Sequence, residues 1–176
     1  ISNRIVLPGL EVGMADFFGT PSPQLTDYFE ERAKNGVGLL FTGITRVTDF
    51  HGAMSPRQLS MSHDRNIKPF AALVKQIQSH GTKIFCQLHH PGRQNLSAMI
   101  GSWTFAQICG RYIPGFWGPF FKTVPLFDWT LRNIWAPPVS GPSAIPCTHV
   151  QQKTRAFTKR EITKLIEDFA AAAVRV

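Results

Sequence analysis

Cysteine is scarce in this chain: Cys86, Cys109 and Cys147 are odd in number and lie far apart. With no CxxC pair, an iron–sulfur or zinc site within the segment is not expected, and the three read as reduced thiols of a cytoplasmic protein. No uninterrupted apolar stretch nears the ~20 residues that span a bilayer, so no transmembrane segment is expected. Ile1-Ser2-Asn3-Arg4 carries neither a Met nor a signal-peptide pattern, and an internal or trimmed start is expected. The G-x-G-x-x-G fingerprint is missing after the first apolar run, which counts against a dinucleotide-binding doubly wound unit. Acidic residues are few, 11 against 19 basic ones, for a net charge of +8. That sign fits nucleic acid, anionic lipid or a phosphorylated ligand. The cations are scattered, however, and the densest group, Lys153 to Arg160, has no base-stacking aromatic motif beside it. Nucleic acid is therefore not an expected partner.

What remains is 43% hydrophobic and 17% charged, which suits one domain with a real core. Arg4-Ile-Val-Leu-Pro8 reads as a short buried strand. A helix is predicted from about Pro23 to Asn35, with Ser22 as N-cap, Leu25, Phe29 and Ala33 on one stripe, and Gly36 past its end. Val37 to Gly43 is a second strand, apolar on both faces. Asn66 to about His80 is a second helix, with Pro69 in its first turn and Phe70, Leu73 and Ile77 on its stripe. Lys83 to Leu88 is a third strand. A last helix starts at the capping box Thr158-Lys-Arg-Glu161, with Ile162, Leu165, Ile166, Phe169 and Ala173 as its expected buried face. Strands apolar on both faces, alternating with amphipathic helices, mean parallel pairing and βαβ units. A doubly wound sheet or a (β/α)₈ barrel fits; polar residues at the strand ends (Thr42, Gln87, His89, His90) fit a barrel's active face.

The stretch from 95 to 146 breaks this rhythm. Trp103, Phe105, Tyr112, Phe116, Trp117, Phe120, Phe121, Phe127, Trp129 and Trp135 are interrupted by Gly and Pro, and neither period persists. Such a segment suits a substrate lid, a subunit interface, a membrane-contacting patch or a satellite core. The end of the third strand, Lys83-Ile-Phe-Cys-Gln-Leu-His-His-Pro-Gly-Arg93, is the richest in chemistry. The amide of Gln87 needs partners if dry. It either satisfies a neighbouring backbone group or reads a flat heterocycle with adjacent donor and acceptor atoms, such as a flavin pyrimidine edge. His89 and His90 are adjacent in an extended strand and point to opposite faces, so no metal site is expected from them. Arg93 suits either a carboxylate or phosphate ligand or a turn-stabilising role.

Five blocks occur in an order that resembles the Old Yellow Enzyme family. They are Asn3 to Leu10, Tyr28 to Leu40, Lys83 to Arg93, Gly141-Pro-Ser-Ala-Ile-Pro146, and Thr158 to Ala173. They are most similar to its 2,4-dienoyl-CoA-reductase-like and bile-acid-inducible branch. The resemblance implies that residues 1–176 are the N-terminal part of an FMN-binding (β/α)₈ TIM barrel. About the first three βα units would be present, with the aromatic insertion 95–146 after the third strand and the rest of the barrel C-terminal to Val176. By position, the family's flavin contacts fall on Pro8, Gly9 and Leu10 after the first strand, on Gly43 and Ile44, where room would be left for the ring, and on Gln87 at the pyrimidine edge.

The implied activity is that of an FMN-dependent oxidoreductase of ene-reductase type. It would pass hydride from NAD(P)H via FMN to the activated C=C bond of a hydrophobic enone or a CoA-linked enoyl thioester. A homo-oligomer is expected, and relatives of this branch often add a 4Fe-4S and FAD region further on. The family's substrate-anchoring and proton-donating residues follow the fourth strand, so no catalytic residue is assigned here. One departure stands out: where the family often has Thr or Cys beside the flavin, this chain has Glu11, whose carboxylate would disfavour a reduced, anionic ring. The alternative reading is a catalytically incomplete barrel fragment that acts as an interaction module through its aromatic insertion.

Overall fold

Ser22 adopts an extended conformation, and its hydroxyl accepts from the Leu25 N–H at 3.1 Å, which starts helix α1 (Pro23–Lys34). The helix buries Leu25, Phe29 and Ala33, and the chain leaves it through Gly36, whose φ of +83° is left-handed. Helix α2 (Ile67–Gln78) follows a 3₁₀ turn over Asp64–Asn66 and buries Phe70, Leu73 and Ile77. Both helices thus follow the apolar spacing of the sequence. The computed structural model describes residues 1–49, 51–55, 57–95, 139–149 and 153–176. The aromatic residues 103–135, and every reading that rests on them, lie outside the described residues.

Four parallel strands form the main sheet: β1 (Val6–Leu7), β2 (Leu39–Arg46), β3 (Leu59–Ser60) and β4 (Lys83–His89). β4 runs along β2 from Leu39 to Arg46. A strand has two edges, so β1, paired at Leu39 and Leu40, and β3, paired at Thr45 and Arg46, share the other one end to end. Two expectations are corrected here. The stretch from Arg4 to Pro8 contributes only two ladder residues, and Ile5 and Val6 are 61% and 44% exposed, because this short strand sits at the margin of the sheet. β3 was not expected at all; two residues carry no readable period.

One face of the sheet carries the helices. Leu40, Thr42, Thr45 and Val47 are buried there with the stripes of α1 and α2. The other face is open among the described residues: Phe85 is 56% exposed, Lys83 and Gln87 are exposed, and Phe41 meets Phe85 edge to face at 5.5 Å. The expectation of a fully buried β4 is therefore corrected. It alternates like a half-covered strand, with Ile84, Cys86 and Leu88 toward the core.

Beyond residue 138, β5 (Val139–Gly141) pairs in parallel with β6 (Thr154–Ala156), a ribbon that was not expected from the sequence. Helix α3 (Lys159–Arg175) begins with the expected capping box. Its buried line differs from the one expected: Ala172 is buried and Leu165 and Phe169 pack on the core, while Ile162 and Ile166 are 46% and 65% exposed. The helix rests on β4 by one edge of its apolar stripe. Among the described residues no helix is long and apolar enough to cross a membrane.

Candidate functional site

Gly43 sits inside β2, and the register with β4 shows its consequence. Phe41 pairs with Phe85, but the next pair is Ile44 with Gln87, so Thr42 and Gly43 together oppose Cys86. This is a β-bulge, with one extra residue in β2. It resets the alternation, which is why Thr42 and Thr45 are both buried on the helix side. The Gln87 N–H donates to Thr42 Oγ1 at 3.1 Å, and that hydroxyl lies 2.9 Å from the Gly43 carbonyl oxygen as its donor. The Cys86 thiol lies against the same two threonine hydroxyls; burial pushes its pKa up and those hydroxyls partly oppose the shift.

The turn after β1 lies across the bulge. A Cβ built on Gly9 would overlap Gln87 Oε1 and lie 2.9 Å from the Thr42 carbonyl oxygen. A Cβ on Gly43 would lie 2.7 Å from the Leu10 carbonyl oxygen and 3.1 Å from Glu11 Oε2. Glycine at both positions permits this close approach. The structure thus brings the expected residues into one patch. Pro8, Gly9 and Leu10 form an exposed turn, Gly43 is buried beneath it, Ile44 is the register partner of Gln87, and Gln87 stands exposed on the open face with its carboxamide against Gly9. The space saved by Gly43 is filled by Leu10 and Glu11 rather than left open for a ring.

Charge around this patch is held on the protein's own groups. Glu11 Oε1 accepts from the Gly13 N–H at 3.0 Å. Burial raises the Glu11 pKa, against the pull of that hydrogen bond, of Ser55 and of the Arg46 guanidinium. Arg46 itself is committed to Asp49, with Nε 2.8 Å from Oδ1. Burial alone would raise the Asp49 pKa, but Arg46 and the Ser60 and Ser62 hydroxyls outweigh it and hold the carboxyl below its usual range.

The two histidines part company. His89 Nδ1 lies 3.5 Å from Gln58 Nε2, whereas His90 Nδ1 accepts from the Gly92 N–H at 3.1 Å. That bond fixes a neutral His90 as the Nε2–H tautomer. Burial, then the charges of His89 and His51, push its pKa down to about 4, against the attraction of Asp168. His90 opens on a cavity of about 220 Å³ shared with His51, Asn95, Ser140, Glu161 and Asp168. These residues come from separate segments, and no spacing in the sequence announced their meeting. Arg93 donates to the Ile145 carbonyl at 3.2 Å and packs its Cβ near Gly141, which is the turn-tying role. The bulge was also missed, although a glycine inside an apolar strand is its usual signal.

Residues 1–104 match the family model described as the NADH:flavin oxidoreductase / NADH oxidase family. The chain is 31% identical over 175 residues to a protein from Thermoanaerobacter brockii named NADH oxidase, an alignment covering 99% of this chain and 22% of that protein. Among solved structures it resembles Old Yellow Enzyme from Pichia sp. AKU4542, with a TM-score of 0.69 at 18% identity over 98% of this chain and 38% of that one. It also resembles the Old Yellow Enzyme homologue of Zymomonas mobilis, with a TM-score of 0.67 at 21% identity over 98% of this chain and 41% of that one. At these identities the structural likeness speaks for the fold. The chain spans about a fifth to a quarter of the length of the first curated relatives it matches.

Proposed function

Because the chain belongs to the NADH:flavin oxidoreductase / NADH oxidase family, we propose that it forms the first part of an FMN-dependent oxidoreductase barrel and supplies one wall of the flavin site. The observation that carries this reading is the juxtaposition of Gly9 and Gln87 at the C-terminal ends of parallel strands. Ligands of parallel α/β barrels sit at those ends. The residues fit the group on two counts. The Gln87 carboxamide is exposed and offers a donor and an acceptor side by side, which is what the pyrimidine edge of an isoalloxazine requires. The turn at Gly9 has no Cβ, so its backbone lies flush with that carboxamide and presents a flat rim.

In this reading Gln87 binds and orients the ring edge, the backbone of Pro8, Gly9 and Leu10 lies along it, and Gly43 with Ile44 forms the floor beneath the turn. Bound there, FMN would supply hydride transfer from a reduced nicotinamide to an activated C=C bond of a hydrophobic enone or enoyl thioester. The protein's share is orientation and electrostatics. Glu11 bears on the second, since its carboxyl lies under the turn and burial already favours its neutral form.

FMN titration of the purified protein, followed by quenching of flavin fluorescence, tests the proposal. Saturable binding is expected, with a bound-flavin absorption band that NADH or NADPH bleaches when oxygen is excluded. Gln87→Ala is expected to weaken binding on the order of tenfold or more, the cost of leaving ring polar atoms unpaired. Unquenched flavin at high protein concentration, or a Gln87→Ala protein that binds as well as the parent, would sink it.

A further inference from the structure

At the bulge in β2 the Gln87 N–H meets a side-chain hydroxyl in place of a ladder carbonyl. The pairing passes from Phe41–Phe85 to Ile44–Gln87, and the Gln87 N–H falls where β2 offers a side chain instead of a carbonyl. The side chain is Thr42, 0% exposed, with Oγ1 3.1 Å from the Gln87 nitrogen. A hydroxyl has one proton to give. That of Thr42 has the Gly43 carbonyl oxygen at 2.9 Å as its acceptor, so the lone pairs of the same oxygen are turned toward Gln87. The main-chain carbonyl of Thr42, meanwhile, lies directly below Gly9. One residue therefore bonds the backbone from which the carboxamide springs and lies beneath the turn against which it rests.

We propose that Thr42 is the positioning residue of the site: its hydroxyl replaces the missing ladder acceptor and fixes the Cα of Gln87, and hence the aim of its carboxamide. This rests on the reading that Gln87 grips the flavin. Among the described residues, β4 presents the Gln87 side chain to the open face of the sheet, while its N–H turns in the plane of the sheet toward Thr42. Thr42 never touches the ligand in this account; it acts through Gln87. Valine at 42 would keep the volume and abolish the acceptor. Serine would keep the acceptor and lose a methyl group.

The test compares the parent with Thr42→Val, Thr42→Ser and Gln87→Ala. Three quantities are read: FMN affinity, thermal midpoint, and hydrogen exchange of the Gln87 amide in flavin-free protein. Thr42→Val is expected to raise the FMN Kd on the order of tenfold, as loosening by a fraction of an ångström does at a preorganised site. It should also speed exchange at Gln87, and Thr42→Ser should return both values near the parent's whatever the midpoint does. Should Thr42→Val not fold, Thr42→Cys against Thr42→Ser carries the same comparison, because the thiol is a weak acceptor of similar size. Parent-like FMN affinity or amide exchange in Thr42→Val, or loss of affinity in Thr42→Ser equal to that in Thr42→Val, would overturn the proposal. Failure of the flavin reading looks different: Gln87→Ala would bind like the parent, while exchange at Gln87 would still judge Thr42.

Discussion

Gly9 shows how a missing side chain can permit a close approach. Its neighbours are a flexible carboxamide and the rigid carbonyl of Thr42, and the second cannot give way as the first can. Gly9→Ala must therefore lift the turn. The expected result is a loss of FMN affinity of at least about tenfold with a stability cost of about 1–2 kcal/mol, read from flavin quenching and a urea midpoint on the same protein. A variant that binds FMN normally would show that the turn tolerates the displacement and plays no part in the site. Glu11 works in the opposite sense. Its raised pKa means that ionisation is harder in the folded than in the unfolded chain, so the charge costs stability once the pH exceeds its ordinary value of 4.5. Glu11→Gln removes the charge and keeps an oxygen for the Gly13 N–H. It is expected to raise stability at pH 7; a lower urea midpoint would contradict this.

Elements were legible in proportion to how local their causes are. Helices α1 and α3 were placed within a residue or two because Ser22 and the Thr158–Glu161 box act over a single turn. In the box, Thr158 Oγ1 accepts from the Glu161 N–H at 3.3 Å and the Glu161 carboxylate accepts from the Thr158 N–H at 2.8 Å. Thr158→Ala is expected to cost about 1 kcal/mol, visible as a lowered thermal midpoint with the FMN affinity unchanged; a fall in affinity would tie α3 to the site more closely than the structure does. β3, β5 and β6 escaped the sequence because strands of two or three residues express no alternation. The buried line of α3 was misread for another reason. Its apolar stripe is wider than the contact it makes, and only the docking on β4 decides which side is covered.

At the scale of the whole molecule, the parallel α/β plan followed from alternating apolar runs, whereas Pro8, Gly9, Leu10, Gly43, Ile44 and Gln87 were named through the family resemblance, as flavin contacts. What linked them, the bulge and the hydroxyl of Thr42, was not legible, because it depends on register between segments far apart in the chain. The cavity beside His90 was hidden for the same reason. It has a consequence for acid stability. A histidine with a depressed folded pKa contributes fully above the ordinary value of 6.5, and the contribution is lost as the pH falls toward about 4, where the folded form at last takes up the proton. His51 and His89 shift in the same direction, each through burial first. For His90 the loss is about 2 kcal/mol once its partial exposure is allowed for. Urea midpoints between pH 7 and 4 should fall, and His90→Asn, which keeps an acceptor for Gly92, should fall less; equal slopes would refute the assignment. The anchoring of Gln87 on Thr42 spans 45 residues of chain. Contacts of such long range form late, after the entropy of loop closure has been overcome. A nucleotide present during refolding would then meet no finished grip until topology is complete, and it should slow unfolding without hastening folding. On the proposed reading, the yellow ring would be a witness to assembly rather than a template for it.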